Sequence, residues 1–288
     1  EISTDLQVSI PDAAKFIALY ALGVVVGAPI LVLFTGKYPP KKVLLFLMLL
    51  FFVFNGLFAI APEFYSLGVA RFLSGLPHGA FFGVGTVVAA QLADKGKEAQ
   101  AISIMFTGMT IANLAGVPLG TYFGQNYSWR LTYGIIALLG IVTILAIKFW
   151  LPNVQTNSDK DIFKQLDYFK TKAAWLLIAL ISIGTGGLFA WISYISPMVT
   201  KVSGLAENKV PLIMILIGLG MFFGNLIGGK ISDTVSPTKA AIGAFSTMAI
   251  TLLIVYFTAH IETMAYVMAF FTGMVAFTIG SPLQMMLI

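Results

Sequence analysis

Long apolar stretches, separated by short polar breaks, run through almost the whole chain. A helix needs roughly 20 apolar residues to cross a bilayer core about 30 Å thick, and most of these stretches reach that length. Strands of a membrane barrel would have about ten residues of alternating polarity, which these stretches do not show. The pattern therefore predicts an all-α integral membrane protein with nine spans, the last of which runs to the end of the sequence. The spans are predicted at Ala13–Phe34, Val43–Ala61, Tyr65–Leu92, Ala99–Phe123, Trp129–Leu151, Ala173–Thr200, Val210–Ile231, Ala240–Ala259 and Thr263–Ile288.

The composition excludes a soluble domain. Charged residues make up 10% of the 288 residues and hydrophobic ones 58%, whereas soluble domains carry about 25% charged residues. Twelve Lys residues fall on one side of the predicted spans, and four Lys or Arg residues fall on the other. The basic side is predicted to face the cytoplasm, which indicates a multi-pass membrane protein. The net charge of +5 is then explained by topology and lipid headgroups, without nucleic acid.

Part of the chain is repeated. The sequence LGVVVG at Leu22–Gly27 recurs as LGMFFG at Leu219–Gly224, an offset of 197 positions. Both copies lie in a span that is predicted to run from outside to inside, and both precede a short cytoplasmic turn. The offset predicts two similar halves, at 1–152 and 173–288, joined by a cytoplasmic linker at 153–172.

Each predicted half is shorter than six spans, because the first contains five helices and the second four. Aligned by the repeat, the first half lacks its opening helix and the second lacks its last two. We therefore expect the sequence to be a piece of a longer chain of twelve helices, arranged as six plus six, with about nine of them present. Parallel halves of this kind are typical of secondary transporters with a binding site near the middle of the membrane.

Two stretches carry a resemblance to a known family. Residues 71–85 read RFLSGLPHGAFFGVG, and residues 108–130 contain ANLAGVPLGT and end in SWR. Together with the repeat they resemble the major facilitator superfamily, and within it the bacterial arabinose and sugar efflux permeases of the drug–proton antiporter branch. The resemblance covers essentially the whole chain and implies helices two to six in 1–152 and helices seven to ten in 173–288. It also implies secondary transport by alternating access and a location in the bacterial cytoplasmic (inner) membrane.

Arg71 and His78 lie inside the third span, seven residues apart and on nearly the same helical face. A guanidinium inside a membrane costs at least about 2.5–3.5 kcal/mol unless it faces a polar cavity, so a functional role is expected. The resemblance implies that Arg71 takes part in proton coupling with an acidic partner on another helix. His78 can carry a proton or bind substrate. Structural alternatives stay open, with Arg71 reaching the interface or forming a structural pair and His78 as a neutral core residue.

Small residues spaced by four mark the fourth span. Gly108, Ala112, Gly116 and Gly120 permit close helix packing, and Pro118 among them allows the helix to bend. The set is similar to the superfamily's antiporter motif, although the family's Gly-Pro pair is Gly116-Val-Pro118 here. We expect Gly108, Gly116, Pro118 and Gly120 to act in the conformational switch, and the motif to favour exchange over symport.

A cytoplasmic turn of the second half, Gly229-Lys-Ile-Ser-Asp233, resembles the superfamily's signature Gly-x-Leu-Ala-Asp. The resemblance implies a latch in which the Asp233 carboxylate meets the N-terminus of a helix. Gly229 and Asp233 are therefore predicted to belong to the conformational switch. In the first half the acidic position is Gly36, which weakens the case for a latch there.

Four polar residues inside the spans are candidates for the substrate cavity: Asn55, Asn113, Tyr194 and Gln284. Each can also bridge neighbouring helices, which for any one residue alone is the simpler interpretation. Cysteine is absent from the sequence, the two histidines are far apart, and no phosphate-binding glycine loop is present. We therefore expect no catalytic residues, no metal site, no cofactor and no enzyme activity.

These observations predict a secondary active transporter that exports a small sugar-like or amphipathic compound in exchange for protons. Its expected partners are that substrate, protons and the lipid bilayer, with no nucleic acid, and we expect a monomer. An uptake symporter or a uniporter of the same fold is the alternative within transport. A non-transporting sensor or a passive channel is the alternative outside transport, and it would need a signalling domain or a continuous polar stripe, neither of which the sequence shows.

Overall fold

The computed structural model describes residues 2–154 and 167–286, and all regular structure in these ranges is helical. Short turns join the helices, and a π-helical turn at Ala112–Gly116 connects the fifth helix to the sixth. The α-helices in these ranges are α1 (Ile2–Asp5), α2 (Ile10–Thr35), α3 (Pro40–Ile60), α4 (Phe64–Leu92), α5 (Glu98–Ile111), α6 (Val117–Asn126), α7 (Trp129–Trp150), α8 (Lys172–Lys201), α9 (Val210–Thr234), α10 (Pro237–Thr258), α11 (Glu262–Thr278) and α12 (Gly280–Met285).

The helices follow the predicted spans and confirm the predicted all-α membrane fold. Within the described part of the chain, seven helical stretches are long and apolar enough to cross a membrane. Two further predicted spans correspond to α8, which has 30 residues, and to α5 and α6 with the π turn between them. The ninth span, predicted as one helix, is broken between α11 and α12, and its last two residues lie outside the described ranges.

Local chemistry explains where the helices begin. The side-chain oxygens of Ser9, Ser128, Thr171 and Ser236 each accept a hydrogen bond from a backbone N–H in the first turn of the following helix. Proline stands in the first turn of α2, α3, α9 and α10, where its missing N–H is not needed. These polar and proline-containing turns therefore determine where the apolar helices begin.

The chain forms two compact units. The first consists of Glu1–Val88 and Pro118–Gln165, and the second consists of Ala89–Val117 and Leu166–Ile288. The units differ from the predicted halves in one respect, because α5 belongs to the second unit by its contacts. The predicted division into halves stays a prediction, and most of the predicted linker at 153–172 lies outside the described residues.

In the first unit, α2 and α4 pack with their backbones in contact. A Cβ atom added to Gly23 or Gly27 of α2 would overlap backbone carbonyls of α4, and one added to Gly75 of α4 would overlap the carbonyl of Tyr20. These glycines therefore let the two helices approach closely. Such close approach is the main source of helix association in a bilayer, because lipid tails are as apolar as the helices themselves.

The second unit repeats this arrangement with α9 and α11. A Cβ atom added to Gly220 or Gly224 of α9 would overlap backbone carbonyls of α11, and one added to Gly273 of α11 would overlap the carbonyl of Ile217. Gly220 and Gly224 are the repeat copies of the two α2 glycines. The repeat in the sequence therefore corresponds to a shared packing geometry inside each unit.

The first unit also ties its opening turn to α7. Asp5 Oδ2 accepts a hydrogen bond from Trp129 Nε1 at 3.0 Å and lies 3.6 Å from Arg130 Nη2. Arg130 Nη1 in turn donates to the carbonyls of Ala59 at 3.2 Å and Ala61 at 2.6 Å, where α3 ends. These contacts hold the ends of α3 and α7 together, and both helices contribute a ring to the site described below.

Candidate functional site

The guanidinium of Arg71 is held among three aromatic rings of the first unit. Its Cζ atom lies 4.3 Å from the ring centroid of Tyr20 on α2, 5.4 Å from that of Phe58 on α3 and 5.1 Å from that of Tyr133 on α7. Aromatic faces attract a cation, and the attraction increases when both groups are removed from water. Within the described ranges, no carboxylate oxygen lies within 4.0 Å of Arg71. The rings therefore form its immediate surroundings in this part of the chain.

His78 is connected to this group through Tyr20. The hydroxyl oxygen of Tyr20 lies 2.8 Å from His78 Nδ1, a hydrogen-bond distance, and the two rings meet edge to face with centroids 5.6 Å apart. The Nε2 atom of His78 has no hydrogen-bond partner among the described residues. Tyr20 therefore contacts both residues that the sequence predicts for proton coupling, since its ring faces Arg71 and its hydroxyl faces His78.

Glycine packing brings Tyr20 to this position. On α4, Gly75 lies between Arg71, which is four residues earlier, and His78, which is three residues later. The carbonyl of Tyr20 occupies the space that a Cβ atom on Gly75 would need. Residues three and four positions from Gly75 share its helical face. The side chain of Tyr20 starts where α2 lies close to α4, and it can therefore reach both Arg71 and His78.

His78 lines a cavity of about 290 Å³ between α3, α4 and α7. The walls are mainly apolar, and His78 and Thr143 contribute the polar side chains. The Thr143 hydroxyl already donates to the Leu139 carbonyl of its own helix at 2.9 Å. A volume of this size is near the lower end of the range for small-molecule sites. The imidazole therefore lies beside open space large enough for a small ligand.

In the second unit, the carboxylate of Asp233 meets the N-terminus of α5. Its Oδ1 accepts a hydrogen bond from the Ala99 N–H at 2.8 Å, and its Oδ2 accepts one from the Gln100 N–H at 2.9 Å. A carboxylate at this position satisfies two free N–H groups and interacts favourably with the helix dipole. Gly229, about one turn earlier on α9, has no room for a Cβ atom because Ser103 occupies that space. Both predicted residues therefore lie at the contact of α5 with α9, and their role in switching stays a prediction.

A buried amide adds another polar contact between these two helices. The side chain of Asn225 on α9 is 2% exposed, and its Nδ2 donates to the carbonyl of Ser103 and to Oγ1 of Thr107 on α5. Asn225, Gly229 and Asp233 follow one another at intervals of four, so they lie along one face of α9. Three successive turns of α9 therefore contact α5.

The predicted antiporter motif does not form a regular helix. Residues 112–116 form a π-helical turn directly before α6, whose second residue is Pro118. Proline has no N–H to donate to the preceding turn, and a π-helical turn accommodates such a missing bond by including an extra residue. The motif therefore interrupts the span that the sequence predicted as one α-helix.

The glycines of this motif differ in their surroundings. Among the described residues, a Cβ atom on Gly108 would have no neighbour within 4 Å, and one on Gly116 would make an ordinary contact at 3.8 Å. Gly120 approaches Thr132 more closely, at 3.4 Å for an added Cβ, and its carbonyl accepts a hydrogen bond from Thr132 Oγ1 at 3.2 Å. The expected close packing is therefore present at Gly120 and not at the other two glycines in the described structure.

The four candidate substrate residues do not meet in one described cavity. Asn55 belongs to the first unit, is 2% exposed, and donates its amide to the Phe51 carbonyl of its own helix at 2.8 Å. Asn113, Tyr194 and Gln284 belong to the second unit. None of the four lines either of the two cavities described in these residue ranges. Their assignment to a substrate cavity therefore stays a prediction.

Sequence reasoning missed Tyr20, Tyr133 and Asn225. A single tyrosine or asparagine in an apolar span gives no sign of the residues it contacts, and the partner of Tyr20 is 58 positions away in the sequence. A usable signal was nevertheless present for Tyr20, because it lies three residues before the first repeated glycine, on nearly the same face of α2. A residue one turn from such a glycine lies where two helices are close together.

The described residues also contain no group of three or more His, Asp or Glu side chains that could hold a metal ion. Both described cavities are lined without a carboxylate. The chemistry that these side chains offer is hydrogen bonding, proton exchange at an imidazole and attraction of charge by Arg71.

Comparisons with known proteins agree with the helical architecture. A sequence profile of the Major Facilitator Superfamily matches residues 1–288. The protein named "Putative transporter AraJ" from Escherichia coli (strain K12) is 38% identical over 288 residues, which are 100% of this chain and 73% of that protein. "Inner membrane transport protein YdhP" from the same strain is 34% identical over 284 residues, which are 99% of this chain and 73% of that protein. "Uncharacterized MFS-type transporter YtbD" from Bacillus subtilis (strain 168) is 34% identical over 277 residues, which are 96% of this chain and 70% of that protein.

A solved structure shares the fold. The crystal structure of the human organic anion transporter MFSD10 (TETRAN) matches with a TM-score of 0.74 and 13% sequence identity, covering 98% of this chain and 73% of that chain. At this level of identity the likeness concerns the fold alone. The family is shown by the profile match over the whole sequence and by the bacterial relatives. The chain belongs to the major facilitator superfamily and is a multi-pass transporter of the inner membrane.

Proposed function

We propose that the protein exports a small amphipathic or sugar-like compound across the inner membrane in exchange for protons. The observation that carries the proposal is the contact of Tyr20 with both Arg71 and His78 beside a cavity. It links a charged residue inside a span to an imidazole that lies next to open space. Ionisable residues inside membrane spans commonly mark the path of an ion or a substrate.

The two ionisable residues have different parts in this proposal. A guanidinium does not release its proton in a protein, so Arg71 acts as a fixed charge. An imidazole gains and loses a proton near neutral pH, so His78 is the group of the described site that can carry one. Protonation of His78, or of an acidic residue paired with Arg71, changes the charge inside the span. A conformational equilibrium responds to such a change if its two states stabilise the charge unequally.

The cavity supports an amphipathic compound better than a sugar. Its mainly apolar walls stabilise an apolar body, and His78 offers a hydrogen-bonding atom to one polar group. Sugar hydroxyls left without partners would each cost about 1–3 kcal/mol. We therefore expect amphipathic compounds to be preferred to sugars such as arabinose.

Alternating access provides the coupling step of the proposal. The contact of Asp233 with the N-terminus of α5 is proposed to stabilise one conformation, and its release to permit the other. Gly108, Gly116, Pro118 and Gly120, together with the π turn among them, are proposed to let this helix bend during the change.

The partners in this proposal are a small molecule, protons and the lipid bilayer. The names of the relatives AraJ and YdhP describe transport and state neither a substrate nor a direction. We propose that the protein acts as a monomer without nucleic acid, metal or cofactor. It moves its substrate without changing it chemically and is therefore proposed not to be an enzyme.

Transport into inverted membrane vesicles tests the proposal. A panel of amphipathic dyes would first identify one that the full-length protein exports from cells, and arabinose would be measured beside it. With an acid-inside proton gradient, vesicles with the unaltered protein should accumulate the dye. Arg71→Ala should lower this accumulation by more than about tenfold, which corresponds to a loss of about 1.4 kcal/mol of coupling. Lys201→Ala removes an exposed positive charge at the end of α8 and serves as the control.

Other outcomes would contradict the proposal in recognisable ways. Downhill flux that does not respond to pH would reject proton coupling. Accumulation in right-side-out vesicles alone would indicate uptake by symport. Equal tolerance of cells with and without the protein across the whole compound panel would favour a sensor or a channel.

A further inference from the structure

We infer that Tyr20 is a positioning residue that joins Arg71 to His78 and selects the nitrogen through which His78 exchanges its proton. The inference rests on the proposed proton coupling. It adds a residue that lies outside the motifs in which Arg71 and His78 are found.

The rigid ring of Tyr20 sets the spacing of the site. One face of the ring lies 4.3 Å from the Arg71 guanidinium carbon, and the hydroxyl at its end lies 2.8 Å from His78 Nδ1. A tyrosine side chain has two rotatable bonds, so its ring and hydroxyl move together. A displacement of the guanidinium against the ring therefore also displaces the hydrogen bond to the imidazole.

The contact with Tyr20 engages Nδ1 of His78 and leaves Nε2 without a partner among the described residues. When the Tyr20 oxygen accepts from Nδ1–H, the neutral imidazole of His78 keeps its lone pair on Nε2. A proton that arrives through the cavity binds Nε2 and forms the imidazolium, while the Nδ1–H···O bond stays in place. Release returns the same proton from Nε2 to the cavity. Proton exchange is therefore confined to the nitrogen that Tyr20 leaves free.

Few charged or titratable groups surround this imidazole. Arg71 stands on the same helix, Tyr20 comes from α2, and Tyr133 of α7 faces Arg71. The cavity walls that α3 and α7 contribute contain no titratable side chain in the described structure. A proton on His78 therefore places a second positive charge near Arg71, and the Tyr20 oxygen is the described acceptor that stabilises it.

The second unit contains the same helix contact with different side chains. Its Ile217 carbonyl meets Gly273 as the Tyr20 carbonyl meets Gly75, so the two contacts are equivalent in packing. Ile217 is also the repeat copy of Tyr20 in the sequence. The second unit therefore shows which features this packing requires.

The polar residues are not among those features. At the corresponding positions of α11, Ala269 and Ala276 stand in place of Arg71 and His78. They are 1% and 9% exposed, and Ile217 is 2% exposed, so all three are buried apolar residues. The packing of two helices at this contact therefore does not require polar residues. We infer that Arg71, Tyr20 and His78, at the same three positions of the first unit, have a role other than packing.

Tyr20→Phe tests the inference, because it removes the hydroxyl and keeps the ring beside Arg71. In the vesicle assay with the full-length protein and the selected dye, we expect a loss of about threefold to tenfold in rate near neutral pH, the value of one hydrogen bond. The pH profile should also shift by up to about one unit to more acidic values. The shift is acidic because the lost acceptor stabilised the charged form of the imidazole. Tyr65→Phe, at an 83% exposed tyrosine of α4, is the matched control.

A double variant separates this linkage from general damage. His78→Gln should remove the pH dependence that His78 causes, and adding Tyr20→Phe to it should cause no further loss, because the hydroxyl then has no imidazole to position. Tyr20→Leu also removes the ring and should lower transport beyond Tyr20→Phe. His260→Gln changes the other histidine of the chain and controls for the substitution itself. Thermal unfolding in detergent would verify that each variant is folded.

The outcomes distinguish the inference from the proposed function. An unchanged pH profile in Tyr20→Phe, or independent losses that add up in the double variant, overturns the inference. If Arg71→Ala abolishes proton-driven transport while Tyr20→Phe has no effect, the proposed function stands and the inference fails. If Arg71→Ala leaves proton-driven transport intact, the proposed function fails with it.

Discussion

Single glycines determine where the polar residues of the first unit meet. Gly75 lies between Arg71 and His78 on α4, and the Tyr20 carbonyl fills the space beside it. The backbone of α2 therefore lies too close to α4 at this point for a Cβ atom to fit between them. Any side chain at position 75 must move α2 and, with it, the ring that contacts both ionisable residues.

Gly75→Ala should therefore destabilise the protein. The added methyl group must displace backbone atoms, and overpacking of this kind typically costs about 1–3 kcal/mol. We expect a lower thermal unfolding temperature in detergent and a loss of proton-driven transport. Gly83→Ala, about two turns later on α4, is the matched control, because an added Cβ atom there meets nothing within 4 Å in the described structure. A drop of equal size in both variants would contradict the packing argument.

The sequence was sufficient to select Arg71 and His78 as candidates, because an ionisable side chain is rare in an apolar span and positions seven residues apart lie on nearly the same helical face. Tyr20 could not be identified in this way. Its importance comes from a contact across 58 positions, and tyrosine is common in membrane helices for other reasons. A long-range contact leaves no trace in the local pattern of a single sequence.

At the scale of elements, α9 presents a polar face to α5. Asn225, Gly229 and Asp233 contact α5 at successive turns through an amide, a close backbone approach and a carboxylate. The carboxylate is the outermost of the three and holds the N-terminus of α5. Loss of the single charge on Asp233 would therefore release α5 from α9 at this end of the contact.

Asp233→Asn should loosen the N-terminus of α5. An amide offers one oxygen acceptor where the carboxylate offers two, and hydrogen bonds to a charged group are worth about 1.5–3 kcal/mol. Amide hydrogen exchange at Ala99 or Gln100 should therefore accelerate by at least about tenfold. Asp94→Asn is the control, because Asp94 is paired with Lys97 at the surface. Unchanged exchange at both amides would remove the basis for the latch.

Most elements were predictable from the sequence because span length is imposed by the bilayer. The predicted span Trp129–Leu151, for example, differs from α7 by one residue. The π turn at Ala112–Gly116 was not predictable, because the sequence shows a proline and small residues without showing how the helix adjusts to them. The break between α11 and α12 was missed for a similar reason, since both helices are apolar.

At the scale of the whole molecule, the orientation in the membrane is predicted from the distribution of Lys and Arg residues. Twelve lie on the predicted cytoplasmic side and four on the other. Lys95 stands in the turn between α4 and α5, and Lys201 stands at the end of α8. Both are exposed and are predicted to face opposite sides of the membrane.

Cysteine labelling would test this orientation, because the chain contains no cysteine of its own. In inverted vesicles, a membrane-impermeant maleimide should label Lys95→Cys and leave Lys201→Cys largely unlabelled. Right-side-out vesicles should give the reverse, and labelling after solubilisation in detergent controls for reactivity. The opposite pattern would invert the predicted topology.

The glycine contacts between paired helices affect which substitutions such a protein can accept during evolution. Main-chain atoms carry the pairing of α2 with α4 and of α9 with α11, so the frame does not depend on the side chains enclosed next to it. One copy of this arrangement holds an ionisable cluster and the other holds aliphatic residues. Point substitutions can therefore alter ion or solute selectivity without rebuilding the frame, and after duplication each copy can diverge in chemistry while keeping its architecture.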